Sequence, residues 1–181
     1  MLLLLPRIDD DLAAKTRAAG CPLCGGRLDV ANYPRKVRGA EEFGDEYAWR
    51  RSFCCDAEGC RKRRTPPSVR FLGRKVYLGA VVVLATALQR GPSKTSVTKL
   101  SALLGISRRT LVRWCRWWSA MFATSRFWTS VRGRFMPAVD EVAIPASLLS
   151  RMSATDEPAV VVLLRLLAPM STRPHLEASA S

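Results

Sequence analysis

The chain has 181 residues, an apolar fraction of 48% and a formal net charge of +14. This length allows one domain or two small ones, with enough apolar residues for a packed core. No apolar run reaches bilayer length, and the opening MLLLL lacks the longer core of an export signal, so membrane and secreted roles are not expected. A cytoplasmic, nucleoid-associated setting is expected instead, where cysteines stay reduced and bind metal more readily than they form disulfides.

The charge is uneven. Residues 1–20 sum to zero, 21–75 to +6, 76–135 to +10 and 136–181 to −2. The two middle blocks therefore hold the positive field and are expected to act together on a polyanion.

In chain order, residues 7–19 predict a short amphipathic helix, with Asp9, Asp10 and Asp11 at its positive end and Gly20 as its stop. Residues 21–66 contain five of the six cysteines and little helical periodicity. Strands are expected at 27–33 and 49–54, joined by an exposed loop containing Gly39, Glu41, Glu42 and Gly44. Thr65, Pro66 and Pro67 form a stiff connector. Helical pattern resumes near Gly73 and runs to Gln89, before Gly91 and Pro92. Further helices are expected at 97–104, from Ser107 past Trp118 towards Ala123, at 125–131 and around 146–152, with an apolar run after Pro158. The Pro-, Ser- and Ala-rich tail from Pro169 is expected to be disordered. The implied fold is mostly α with a small β zinc ribbon. It comprises an N-terminal helix (1–19), the ribbon (20–70), a three-helix helix-turn-helix domain (71–135), a helical extension (136–168) and the tail (169–181).

Cys21 and Cys24 stand in C-P-L-C-G-G, where two intervening residues let both thiolates face one ion from a tight turn. The second pair lies in F-C-C-D-A-E-G-C. Cys60 is one ligand and the other is Cys55 or Cys54. Phe53, two residues before Cys55, favours Cys55, because an alternating strand puts both on one face. Four thiolates suit a single tetrahedral zinc with no open position, hence a structural role. A segment this poor in large apolar side chains needs such a staple. Arg50 and Arg51 precede the second pair, and Arg61, Lys62, Arg63 and Arg64 follow it. All six are candidates for phosphate contact.

Residues 97–116, VTKLSALLGISRRTLVRWCR, have helix-turn-helix form. Leu100, Leu104, Ile106, Leu111 and Trp114 are the apolar positions. Ser101 is small enough for a close helix crossing, Gly105 stands at the turn, and Ser107 is placed to cap the second helix. On that helix Leu111, Trp114, Cys115 and Trp118 form a buried stripe. Arg109, Val112, Arg113 and Arg116 form the opposite one, as a recognition helix in a major groove requires. Residues 76–135 contain ten Lys or Arg and no Asp or Glu. A solvated face would mix signs. The crowded aromatics Trp114, Trp117, Trp118, Phe122, Phe127 and Trp128 are expected to be core, with Trp117 off the buried stripe.

A C-P-x-C-G knuckle, a strand, a second knuckle, a basic strand and then a helix-turn-helix resembles the N-terminal DNA-binding region of bacterial insertion-sequence transposases. The resemblance covers about residues 20–118. It implies zinc on Cys21, Cys24, Cys55 and Cys60, with Arg108, Arg109, Arg113 and Arg116 facing the element's terminal DNA. Such transposases continue into a ribonuclease-H-type catalytic domain carrying three carboxylates. Here 63 residues follow Trp118, without a strand-rich βαβ pattern. No catalytic activity and no small-molecule substrate are expected: the single histidine, His175, lies in the tail, and Asp140 and Glu141 are adjacent and point apart. The expected partner is double-stranded DNA, with a homodimer or a transposase as a protein partner. The alternatives are an accessory module, for which the charge-free run 159–164 speaks, and an RNA-binding zinc ribbon.

Overall fold

The computed structural model describes residues 4–36, 45–72, 82, 83, 86, 107–154 and 156–172. The chain divides into two compact units. One is formed by Met1–Val76 with Arg165–Ser181, the other by Tyr77–Leu164.

The first unit opens with helix α1 (Leu4–Ala18), which buries Leu5, Ile8, Asp9 and Ala13. The helix starts earlier than the acidic run suggested, because Leu5 continues the apolar stripe one turn before Ile8. Asp9, Asp10 and Asp11 therefore do not cap its N-terminus. Asp10 instead pairs with Arg51 at 2.6 Å, and Asp9 is buried.

Among the described residues, five short strands follow: β1 (Leu28–Val30), β2 (Tyr33–Pro34), β3 (Trp49–Arg50), β4 (Phe53–Cys55) and β5 (Arg63–Arg64). They form an antiparallel three-stranded sheet in the order β1-β4-β5 and a two-stranded sheet of β2 and β3. Leu28 lies opposite Cys55 and Val30 opposite Phe53. Each expected strand is thus split in two. At the break Ala31 N–H donates to the Ser52 carbonyl at 2.8 Å, and Ser52 N–H donates to Asn32 Oδ1 at 3.0 Å. These contacts keep the backbone groups satisfied where the ladder is interrupted. The expected loop around Gly39 to Gly44 falls largely outside the described residues.

In the second unit, residues 82, 83 and 86 are helical and buried. The rest of the predicted helix 73–89, the helix 97–104 and the turn at Gly105 lie outside the described residues. Helix α2 (Arg108–Trp117) is followed by a π-helical turn at Trp118–Phe122. Helix α3 (Arg126–Val131) comes next, capped by Ser125. Helix α4 (Ala146–Met152) follows, and helix α5 (Ala159–Leu167) begins in this unit and ends in the first. The core is aromatic: Trp118 and Phe122 centroids are 5.1 Å apart, and Phe122 and Trp128 5.2 Å. Trp118 Nε1–H donates to Thr86 Oγ1 at 2.9 Å, so its one polar atom is satisfied inside the core.

Helix α5 buries Val160, Val161, Leu163, Leu164 and Leu167, leaving little of that apolar run as surface. The chain continues into a 3-10 turn at Ala168–Ser171, where Ser171 Oγ accepts from Ser68 N–H at 2.8 Å. The tail beyond residue 172 lies outside the described residues. No helix among the described residues is long and apolar enough to cross a membrane.

Candidate metal centre and basic helix

The two knuckles bring four sulfurs together. Ligand atoms of Cys21, Cys24, Cys55 and Cys60 all lie within 4.8 Å of one another. Cys21 and Cys60 sulfurs are 3.7 Å apart, Cys24 and Cys55 sulfurs 3.4 Å. A tetrahedron with metal–sulfur bonds of about 2.3 Å has sulfur–sulfur edges of about 3.8 Å. This set can hold one metal ion.

Local backbone geometry makes the cluster. Cys21 N–H donates to the Gly26 carbonyl and Gly25 N–H to the Cys21 carbonyl, at 2.9 and 2.8 Å. That closes the first knuckle. Gly25 has φ +72°, and Arg61 has φ +42° at the matching place after Cys60. Both knuckles therefore leave their second cysteine through the left-handed region, at no steric cost in the first and at some in the second. A Cβ on Gly26 would lie 2.9 Å from Cys55 Sγ and 3.3 Å from Cys24 Sγ, so only glycine fits beside the sulfurs. Phe53 and Cys55 share the buried face of β4, and with Ala13, Cys21 and Leu28 they form the small core of the ribbon. Cys54 points to the other face, where its thiol donates to the Arg61 carbonyl at 3.4 Å.

The thiols differ in acidity. The N–H of Leu23 is the main influence bringing Cys21 down to about 7, against burial. At Cys24 the N–H of Gly26 and the Cys55 thiol favour the thiolate, but Cys60, burial and Cys21 leave it above its ordinary value. At Cys55 the N–H of Ala57 favours the thiolate, yet burial and the three neighbouring sulfurs push it up to about 12. At Cys24 and Cys55 the neighbouring sulfurs contribute to opposing the thiolate, a repulsion that a cation between them would relieve.

The basic residues of the ribbon divide into two groups. Arg50 is only 2% exposed. It donates to the Pro66 carbonyl at 2.6 Å and lies over the Phe71 ring at 5.7 Å, and burial lowers its pKa. Arg51 is held by Asp10. Arg50 is therefore inside, which corrects the expectation that it meets phosphate, while Arg51 is partly exposed and paired. Arg63 is exposed, but its guanidinium stacks on Tyr33 at 5.5 Å and donates to the Ala31 carbonyl at 3.2 Å. Arg61 and Lys62 are exposed and Arg64 half-buried, with no carboxylate partner among the described residues.

Asp9 forms a centre that sequence reasoning missed. Its carboxylate accepts from Ser68 Oγ–H at 2.7 Å, Val69 N–H at 2.7 Å and Arg70 Nε–H at 2.8 Å. Arg70 also donates to the Tyr47 carbonyl at 2.6 Å and the Trp49 carbonyl at 2.9 Å. The pair is buried, and its remaining hydrogen-bonding groups are largely met, as a buried ion pair requires. A signal existed: Asp9 falls on the Leu5, Ile8 and Ala13 stripe of α1.

In the second unit, Ser107 Oγ accepts from Thr110 N–H at 3.3 Å and opens α2. Leu111 and Trp114 are buried along one face with Trp118, while Cys115 is half-buried. Arg108, Arg109, Val112, Arg113 and Arg116 are all exposed. None of the four arginines meets a carboxylate among the described residues. Trp117 is half-buried and packs edge-on against Trp118 at 4.7 Å. Glu141 accepts from Trp128 Nε1–H at 2.8 Å and pairs with Arg132 at 3.4 Å. Asp140 Oδ1 accepts from Val142 N–H at 2.9 Å. The two adjacent carboxylates are thus engaged separately, each in a local structural contact.

No family model matches the chain, and neither a curated protein nor a solved structure is found to be similar to it.

Proposed function

We propose that this chain binds double-stranded DNA without catalysing a reaction, through a zinc-stapled ribbon and a helix-turn-helix whose recognition helix is α2. The observation that carries this reading is the two-faced character of α2. Its apolar stripe is buried, and four exposed arginines share the other side with no neighbouring carboxylate among the described residues. A B-form major groove admits such a helix, and guanidiniums pair with its guanine edges and with phosphates. Zinc is the metal that best suits four thiolates in a closed tetrahedron. In the first unit, Arg61 and Lys62 serve as further phosphate contacts. The order of these parts and their resemblance to transposase N-terminal regions support a transposase-related DNA-binding role.

A gel-shift titration of the full chain tests this, using duplex DNA and duplex RNA of the same sequence across a salt series. Affinity for DNA is expected to fall with a log–log slope of roughly −4 to −6. The deep, narrow major groove of RNA is closed to a helix, so RNA should bind more weakly. A flat salt response or a preference for RNA overturns the reading.

A further inference from the structure

We propose that Val112 reads the methyl group of a thymine in the bound duplex. The inference rests on the DNA-binding reading above and adds to it the chemistry of one base position. Val112 is 54% exposed in the middle of α2. Arg108 and Arg109 stand one turn before it and Arg116 one turn after, so it is an apolar island in a cationic face. Valine is β-branched, loses side-chain freedom in a helix and ranks below Ala, Lys, Arg or Glu at exposed positions. Its side chain gains free energy where an apolar group covers it. The arginines around it select a polyanion as the occupant by charge complementarity. On the floor of a major groove the one apolar group is the C5 methyl of thymine. Arg109 and Val112 are separated by about 4.5 Å along the helix axis, close to the spacing of neighbouring base pairs. Val112 can therefore meet a methyl next to a base pair that an arginine contacts.

The test starts with the full chain and a randomised duplex library, from which the preferred duplex is selected. Each thymine in that duplex is then replaced, one at a time, by deoxyuridine, which keeps the base pair and removes only the methyl. At one position the replacement is expected to weaken binding by about fourfold, the transfer free energy of one buried methyl-sized group. Val112→Ala is exposed and helix-favouring, so it keeps the fold. It should bind the thymine and deoxyuridine duplexes equally at that position, while Val112→Thr, which retains a branched methyl, should keep the discrimination. If no duplex is enriched, both this inference and the DNA-binding reading fall. If a duplex is enriched but no thymine position responds, or the response persists in Val112→Ala, this inference alone falls.

Discussion

The two units are held by different physics. Residues 77–164 pack Trp118, Phe122 and Trp128 into an aromatic core that stabilises mainly by burial. The first unit buries Leu5, Ile8, Leu28, Tyr47, Phe53, Val69, Phe71 and Leu72 as well, but in the small core around its cysteines two of the five members, Cys21 and Cys55, belong to the sulfur cluster itself. Its other anchor is polar: Asp9 and Arg70, joined by Ser68 and two backbone carbonyls. A unit of the first kind loses stability gradually as side chains are trimmed. One of the second kind depends on a few charges and is lost when one is left without its partner.

Metal removal should give the widest separation. Chelation, or Cys55→Ser, is expected to unfold the ribbon, since structural zinc contributes on the order of 10 kcal/mol in small domains. Four of the five tryptophans lie in residues 77–164, so the near-ultraviolet dichroism of the tryptophans should survive. Metal analysis should find one zinc per chain. Loss of both signals together would erase the distinction between the units.

Next in size is Asp9→Ala. It leaves the Arg70 guanidinium buried without its carboxylate, at a cost of about 3–5 kcal/mol in a urea melt. The double variant Asp9→Ala, Arg70→Met should recover part of that loss. An unchanged melting curve for the single variant would show that the ribbon does not depend on this pair.

A smaller effect, read in binding, compares α2 with the ribbon. Arg113→Ala should cost roughly 1–3 kcal/mol and relax preference at one base pair. Lys62→Ala should weaken all duplexes alike and make the salt slope shallower by about one. Binding selections on both variants decide the matter: a changed sequence preference for Lys62→Ala, with none for Arg113→Ala, would reverse the roles.

The smallest effect is a pH dependence of the ribbon. Burial pushes the Tyr47 phenol up to about 12, with Arg70 pulling it down and Asp9 raising it. An unfolded tyrosine titrates near pH 10. Below that value the phenol is protonated in both states and its contribution is complete. As pH rises towards 12, the unfolded chain releases the proton first, so stability falls across that window. The melting temperature of the parent should drop more steeply there than that of Tyr47→Phe, and parallel curves would remove Tyr47 from the account.

The cysteine cluster and α2 were legible in the sequence because their determinants are local. The knuckle spacings place two thiols in each turn, and Ser107 with the stripe from Leu111 to Trp118 defines a capped, two-faced helix within twelve residues. The fates of Arg50 and Arg70 were not legible. Arg50 reads as surface charge and Arg70 carries no local signal, because their partners lie elsewhere in the chain: Pro66 and Phe71 for Arg50, Asp9 and the Tyr47 carbonyl for Arg70. The true start of α1 was obscured for a related reason: three aspartates resemble a helix N-terminus, and only the tertiary partner of Asp9 explains a carboxylate on the apolar stripe.

The contact between Ser68 and Ser171 spans 103 positions of chain and gives the molecule an order of synthesis. On a ribosome, every residue of 77–164 is made before residue 171 appears. The aromatic unit can therefore condense from a continuous stretch, while the ribbon unit waits for its last segment to be translated. The two cysteine turns are complete by Cys60, so an ion captured early would hold the waiting ribbon together until the chain returns to close it.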